Sequence, residues 1–304
     1  MITLQPTREN LSLVAERLSQ GYLAVLPTET VYGLAVDAAN ADAAKRLFEL
    51  KGRPSTNPLI VHVSSVDQVG HFAESIPATF QLLVDAFMPG PLTVVLPKRA
   101  HVPSVITGGL DTVAIRMPDH PACLAVMELR GLALAMPSAN PFMGISPTNI
   151  DMIDPDIYAG VAAVIDGGPC AIGIESTVLD LTGEPSILRP GSISREEIEE
   201  VLSLKVGEGG TAHKAPGMYR RHYAPRTKCV ATTIIDPDAP GLVFDEPTND
   251  NQIRMSYEPK VYAQQLYASL ADLDSQGHDV FYVVLPPMTA PWMAIWDRLS
   301  KATA

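Results

Sequence analysis

Residues 51 to 63 read KGRPSTNPLIVHV, and this stretch joins a helical pattern to a strand pattern. Just upstream, Ala43, Ala44, Leu47, Phe48 and Leu50 recur at helical spacing, which leaves Lys51 and Arg53 at the helix end. Pro54 stops the helix, because it offers no N–H and biases Arg53 towards extended geometry. Ser55, Thr56, Asn57 and Pro58 are turn formers, and Leu59 to Val63 is a short β-branched run with His62 near its end. A cation pair held between a helix end and a stiff turn, beside an Asn and a His, suits an oxyanion or phosphate. The same pair is equally what a solvated helix C-terminus carries, since cations are favoured there without any ligand.

The 304 residues are enough for about two domains. Apolar residues at 46% and charged residues at 18% supply a packed core, so the 27 prolines argue for rigid loops and not for disorder. No apolar run approaches the ~18 residues of a membrane helix. The start, MITLQPTREN, lacks a basic segment followed by an apolar one, so a cytoplasmic protein without membrane association is expected. Cys123, Cys170 and Cys229 are widely spaced with no C-x-x-C, which fits a reducing compartment and speaks against a disulfide framework or a zinc site. Net charge of −12 weakens any broad nucleic-acid-binding surface. Yet Gly209 to Ile235 contains no Asp or Glu, while Lys214, Arg220, Arg221, Arg226 and Lys228 fall there with His213 and His222. That island suits a polyanion, or it is a solvated linker.

In chain order, Arg8 to Gln20 is amphipathic, with Thr7 as N-cap and Gly21 past its end. Tyr22 to Leu26 reads as a buried strand running into PTETVYGLAVDA (27–38), where Thr28, Glu29 and Thr30 are either turn formers or the polar fixtures of a pocket. Helices are expected over Val66 to Ala73, Ala78 to Phe87 and Cys123 to Leu129, and strands over 89–98, 113–117, Leu132 to Met136 and Ala162 to Asp166. Arg116 interrupts an apolar strand, so it faces either solvent or an anionic partner. PSANPFMGISPT (137–148) crowds Ser138, Asn140, Ser146 and Thr148 onto a proline-stiffened loop at a strand end, as a nucleotide pocket in an α/β sheet requires. Ser176 and Thr177 open another strand, Arg189 ends one, and Ser194 with Glu197 makes a capping box. Strands at Val230 to Ile235, Gly241 to Phe244 and Val280 to Leu285, with helices at Lys260 to Leu273 and Met293 to Lys301, make a second, smaller α/β domain. The expected division is 1–202, a basic linker or lid at 203–228, and 229–304.

PTETVYGL, KGRPSTNPLIVHV, PGPLTVVL, VAIRMPDHP, PSAN, IESTVLDL and ILRPG, in this order, closely resemble the threonylcarbamoyl-AMP synthase family. APGMYRRHYAP and AIWDRL resemble its longer members, which carry an extra C-terminal domain, although PPMTAPW (286–292) lacks the glycine-rich turn expected there. The resemblance implies a YrdC-like α/β fold, a twisted mixed sheet enclosing a basic cavity. It also implies a nucleotidyltransferase reaction, in which L-threonine, bicarbonate or carbon dioxide, and ATP give threonylcarbamoyl-AMP and pyrophosphate. Partner machinery then passes the threonylcarbamoyl group to a tRNA adenosine beside the anticodon.

Carried over by motif, the K-x-R and S-x-N signatures are Lys51, Arg53, Ser138 and Asn140, with Lys51 and Arg53 as the catalytic cations. Threonine is expected on Thr30, His62, Arg116 and Ser176. ATP is expected on Arg53, Asn57, Thr112, Ser138, Asn140, Ser146 and Arg189, with His222 or Tyr223 closing over it. Mg²⁺ is expected to ride on the phosphates with few protein ligands, since no carboxylate cluster presents itself. A weak RNA contact through the basic island stays open.

Overall fold

The structure is a computed structural model that describes residues 2–209 and 219–304. Eleven strands form one mixed sheet: β1 (Thr3–Leu4), β2 (Ala24–Leu26), β3 (Gly33–Asp37), β4 (Ile60–His62), β5 (Leu92–Pro97), β6 (Thr112–Arg116), β7 (Leu134–Ala135), β8 (Ala163–Ile165), β9 (Thr177–Asp180), β10 (Ser186–Arg189) and β11 (Gly207–Glu208). Their spatial order is β1-β8-β2-β3-β7-β4-β6-β5-β9-β10-β11.

The register makes this sheet two-faced. Successive strand residues point to opposite sides, so paired residues share a face. Val61, Ile115, Val94 and Leu179 fall on one side and enter the main apolar core, together with Leu47 of helix Ala41–Lys51, Leu83 of helix Thr79–Phe87 and Ile198 of helix Arg195–Leu202. The other side changes character along the sheet. Over β8, β2, β3 and β7 it is covered by Val14 and Leu18 of helix Arg8–Ser19 and by Cys123 and Val126 of helix Pro121–Glu128. Over β4, β6, β5 and β9 it carries only a small apolar group, Ile60, Ala114, Val95 and Val178, and then turns polar. That uncovered half is where a site can form.

Four further strands, β12 (Lys228–Thr232), β13 (Gly241–Val243), β14 (Gln252–Arg254) and β15 (Val280–Val284), make a parallel sheet in the order β12-β15-β13-β14. Leu266, Leu270 and Leu273 of helix Pro259–Ser275 and Ile295 and Leu299 of helix Met293–Ala302 pack with Phe281 and Val283 of β15. Val31, Ile174 and Tyr223 belong to the same apolar cluster, so the small domain and the large one share buried surface. Among the described residues no helix is long and apolar enough to cross a membrane.

The expected helix at Val66 to Ala73 is a 3₁₀ turn, Val66–Gln68, followed by a single α-turn, Val69–Phe72, where Gly70 lowers helix propensity. The strand expected at Leu132 to Met136 shrinks to β7. The stretch 203–228, read as connector, begins with β11 paired to β10, so the large sheet reaches into it. β1, β11 and β14 are two or three residues long, too short to display an alternating pattern. His213 and Lys214 lie outside the described residues. PPMTAPW ends in a 3₁₀ turn, Ala290–Trp292, whose buried Trp292 packs edge-on against Tyr262 at 5.3 Å.

Candidate active site

On the uncovered half of the sheet, His62, Arg116 and Thr93 stand side by side on β4, β6 and β5. All three are buried. Thr93 Oγ1 lies 2.7 Å from Ser176 Oγ, which fixes the serine at the start of β9. The His62 Nδ1–H donates to the Ile60 carbonyl at 3.1 Å, and burial, helped by Arg116, pushes its imidazole down to about 3, so the ring is neutral. Thr28 Oγ1 donates to the Val31 carbonyl at 2.6 Å and accepts from the Thr30 and Val31 N–H groups, so the PTET turn is held by its own first threonine. Glu29 is buried on that turn with Oε1 2.7 Å from Arg116 Nη2. The contact is close but misaligned: both Glu29 oxygens and Arg116 Nη2 are without a hydrogen-bond partner. Two buried charges therefore neutralise each other while keeping hydrogen-bonding capacity unspent.

Two further cations line the cleft. Arg53 Nη2 donates to the Pro58 carbonyl at 2.8 Å, and burial pushes its guanidinium down to about 10, still cationic at neutral pH. Arg189 donates twice to the Ser176 carbonyl, at 3.2 and 3.0 Å, and once to Ser176 Oγ at 3.1 Å. Thr112 and Arg116 open and close β6, ~13 Å apart at ~3.3 Å per residue. The floor thus runs from an amino-acid-sized end at His62–Arg116 towards the turn at 54–58.

The cleft that these residues border has a volume of ≈ 580 Å³, the solvent at its open mouth included. Its lining takes in Thr30, His62, Arg116 and Ser176, the whole set expected for threonine, and Arg53, Ser138, Arg189, His222 and Tyr223 of the set expected for ATP. Five expected residues stand outside the lining, for different reasons. Lys51 Nζ is buried and donates to the carbonyls of Ser138 (2.6 Å) and Asn140, so it ties down the PSAN loop and does not face the open cleft. Asn140 turns its amide onto the Pro141 and Gly144 carbonyls, at 2.8 and 2.9 Å. Ser146 Oγ donates to Glu175 Oε1 at 2.5 Å. Asn57 and Thr112 lie towards the turn end of the floor, and the buried Asn57 Nδ2 has no partner.

His222 and Tyr223 are buried and line the cleft as well. The His222 N–H donates to the Lys301 carbonyl at 3.2 Å, and its ring meets Tyr223 at 4.1 Å. Tyr223 holds a positive φ of 56°, a strained conformation for a tyrosine and one that its buried setting must impose. Burial pushes His222 down to about 3, and Nδ1 of His222 and the hydroxyl of Tyr223 are both without partners. Arg220 and Arg221, just before them, are exposed.

The motifs did not single out Thr93, Glu175, Tyr267 or Arg298, and they left Glu29 open between a turn former and a polar fixture of a pocket. Glu29 and Glu175 lie inside quoted motifs, PTET and IEST, and a buried carboxylate beside several arginines was the available signal. Nothing in AIWDRL marks Arg298 out from an ordinary helix arginine.

The family model described as "Telomere recombination" (Sua5, YciO and YrdC) matches residues 16–191, and that of the "Threonylcarbamoyl-AMP synthase, C-terminal domain" matches residues 193–304. The threonylcarbamoyl-AMP synthases of Pyrococcus abyssi and Bacillus subtilis are 46% and 43% identical over 72% and 71% of this chain, and the matched part spans 67% and 64% of their lengths. Sua5 of P. abyssi, solved in complex with L-threonine, superposes with a TM-score of 0.92 at 37% identity, covering 100% of this chain and 98% of that one. With both of its domains matched, the chain belongs to the threonylcarbamoyl-AMP synthase family, in the form that carries the C-terminal domain.

Proposed function

We propose that this cleft makes threonylcarbamoyl-AMP and pyrophosphate from L-threonine, bicarbonate or carbon dioxide, and ATP. The observation that carries the reading is a cleft lined by Arg116, Arg53 and Arg189, in which Arg116 meets buried Glu29 without an aligned hydrogen bond. A zwitterionic amino acid brings a carboxylate for Arg116 and an ammonium for Glu29, so one balanced pair becomes two. His62, Thr30 and Ser176 are left to hold the side chain and amino group. The ammonium group and bicarbonate give a carbamate, water and a proton. A carbamate oxygen then attacks the α-phosphorus, and pyrophosphate leaves.

Such a transfer asks little covalent work of the protein, so positioning and charge neutralisation carry the rate. Arg53 and Arg189 suit the phosphates. Lys51 contributes through the Ser138–Asn140 loop that it holds. The mixed anhydride is readily hydrolysed, which gives His222 and Tyr223 their use as a water-excluding roof. The residues do not fit a protein-held dication: Glu175 already takes three side-chain donors, Glu29 faces Arg116, and no cluster of three His, Cys, Asp or Glu occurs among the described residues. Mg²⁺ would arrive on ATP. The product would pass to tRNA-modifying machinery, and exposed Arg220 and Arg221 leave room for a weak RNA contact.

The test is pyrophosphate release by purified protein with ATP and Mg²⁺. Release that requires both L-threonine and bicarbonate supports the reading. Release indifferent to threonine contradicts it.

A further inference from the structure

Arg298 is the largest side chain among the fully buried described residues. It comes from helix Met293–Ala302 of the small domain, yet most of its partners are in the large one. Its Nε donates to Glu175 Oε2 at 2.9 Å, Nη2 to the Glu175 carbonyl at 3.2 Å and Nη1 to the Pro190 carbonyl at 2.8 Å. Asp297, its neighbour on the helix, takes a further bond from Nη1 at 2.7 Å. The guanidinium also lies over the Tyr223 ring, 5.1 Å from its centre. The Glu175 carboxylate is completed by the Tyr267 hydroxyl, at 2.9 Å, and by Ser146.

Several groups around this carboxylate and its arginine line the cleft or adjoin residues that do. Glu175 lines the cleft and precedes Ser176, Ser146 stands on the loop that follows Ser138, Pro190 follows Arg189, and Tyr223 is in the lining too. A buried, uncompensated carboxylate here would repel a triphosphate and would be costly in itself. We propose that Arg298 is a positioning residue for adenylate formation: it neutralises Glu175 in the lining of the cleft and seats Tyr223, so the C-terminal domain completes the closed cleft. The inference rests on the function proposed above. It assigns the small domain a share in the reaction, beyond support of the fold.

The experiment compares full-length wild type, Arg298→Lys and Arg298→Met for pyrophosphate release at varied ATP and varied threonine, and for the fraction of consumed ATP that appears as free AMP. Wild type must first show threonine-dependent release; if it does not, the functional reading fails and not this one. In Arg298→Met, KM for ATP should rise about tenfold while KM for threonine stays within about threefold. The AMP fraction should also rise severalfold, because a loosened roof admits water to the anhydride. Arg298→Lys, which keeps the charge, should recover part of both. If Arg298→Met does not fold, Tyr267→Phe removes one donor from the same carboxylate and should raise KM for ATP about two- to fivefold. Unchanged KM for ATP and AMP fraction, with only a lower Tm, would make Arg298 a plain domain clamp and overturn the proposal.

Discussion

Two buried arginine–carboxylate pairs each lend one residue, Arg116 or Glu175, to the lining of one cleft, and they are built in opposite ways. Glu175 is saturated: Arg298, Tyr267 and Ser146 donate to its oxygens from three separate elements. Glu29 meets Arg116 at 2.7 Å yet makes no aligned hydrogen bond through either oxygen. The difference teaches how to tell scaffold from site. A saturated pair has no capacity left for a ligand and serves by holding its neighbours. An unsaturated one, equally buried and equally neutral, retains donors and acceptors that a ligand can satisfy.

The largest expected effect follows from breaking the unsaturated pair. Arg116→Ala removes the partner of the substrate carboxylate and leaves Glu29 buried and unpaired, so kcat/KM for threonine should fall about 10²–10³-fold. Steady-state pyrophosphate release at varied threonine measures this, and a loss below tenfold would count against Arg116 as the carboxylate partner. The saturated pair should break in stability. Arg298→Met strands Glu175, at a cost of ~3–5 kcal/mol, whereas Glu175→Gln, which leaves no buried anion, should cost less. Denaturant unfolding of the two variants decides, and equal costs would mean that the pair is not the unit.

Acid offers a finer probe. The Glu175 carboxyl is pulled down to about 2, because Arg298 and then Arg189 outweigh the burial that opposes its charge. A depressed carboxyl contributes stability that is full above its ordinary value of 4.5 and fades as pH falls towards 2. The Tm advantage of wild type over Glu175→Gln should therefore shrink between pH 5 and pH 2. An advantage constant with pH would place the difference elsewhere. The smallest effect belongs to neither pair. Ser194 caps helix Arg195–Leu202 reciprocally with Glu197, so Ser194→Ala should lower stability by ~1 kcal/mol and leave turnover per folded molecule unchanged.

Much of this was legible from local pattern. The helix before Lys51, the turn at 54–58 and the strand carrying His62 follow from apolar spacing and Pro54, and Arg116 was marked by being a charge in an apolar strand. Residues that need only sequence neighbours to explain them, such as the Ser194–Glu197 box, were read directly. What escaped were contacts across the chain. Lys51 lacked a visible reason to leave the cleft, because the carbonyls that take its protons belong to Ser138 and Asn140. Arg298 and Glu175 are 123 residues apart, and nothing near either residue encodes the other. β1 and β11 were hidden because such short edge strands borrow their order from β8 and β10.

The most direct measurement is calorimetric binding of L-threonine, without ATP, to wild type, Arg116→Ala and Arg298→Met. If the two pairs divide their work as argued, Arg116→Ala abolishes the binding heat and Arg298→Met binds within about threefold of wild type. Equal loss in both variants would contradict the division, and undiminished binding by Arg116→Ala would remove the amino-acid end from where it has been placed.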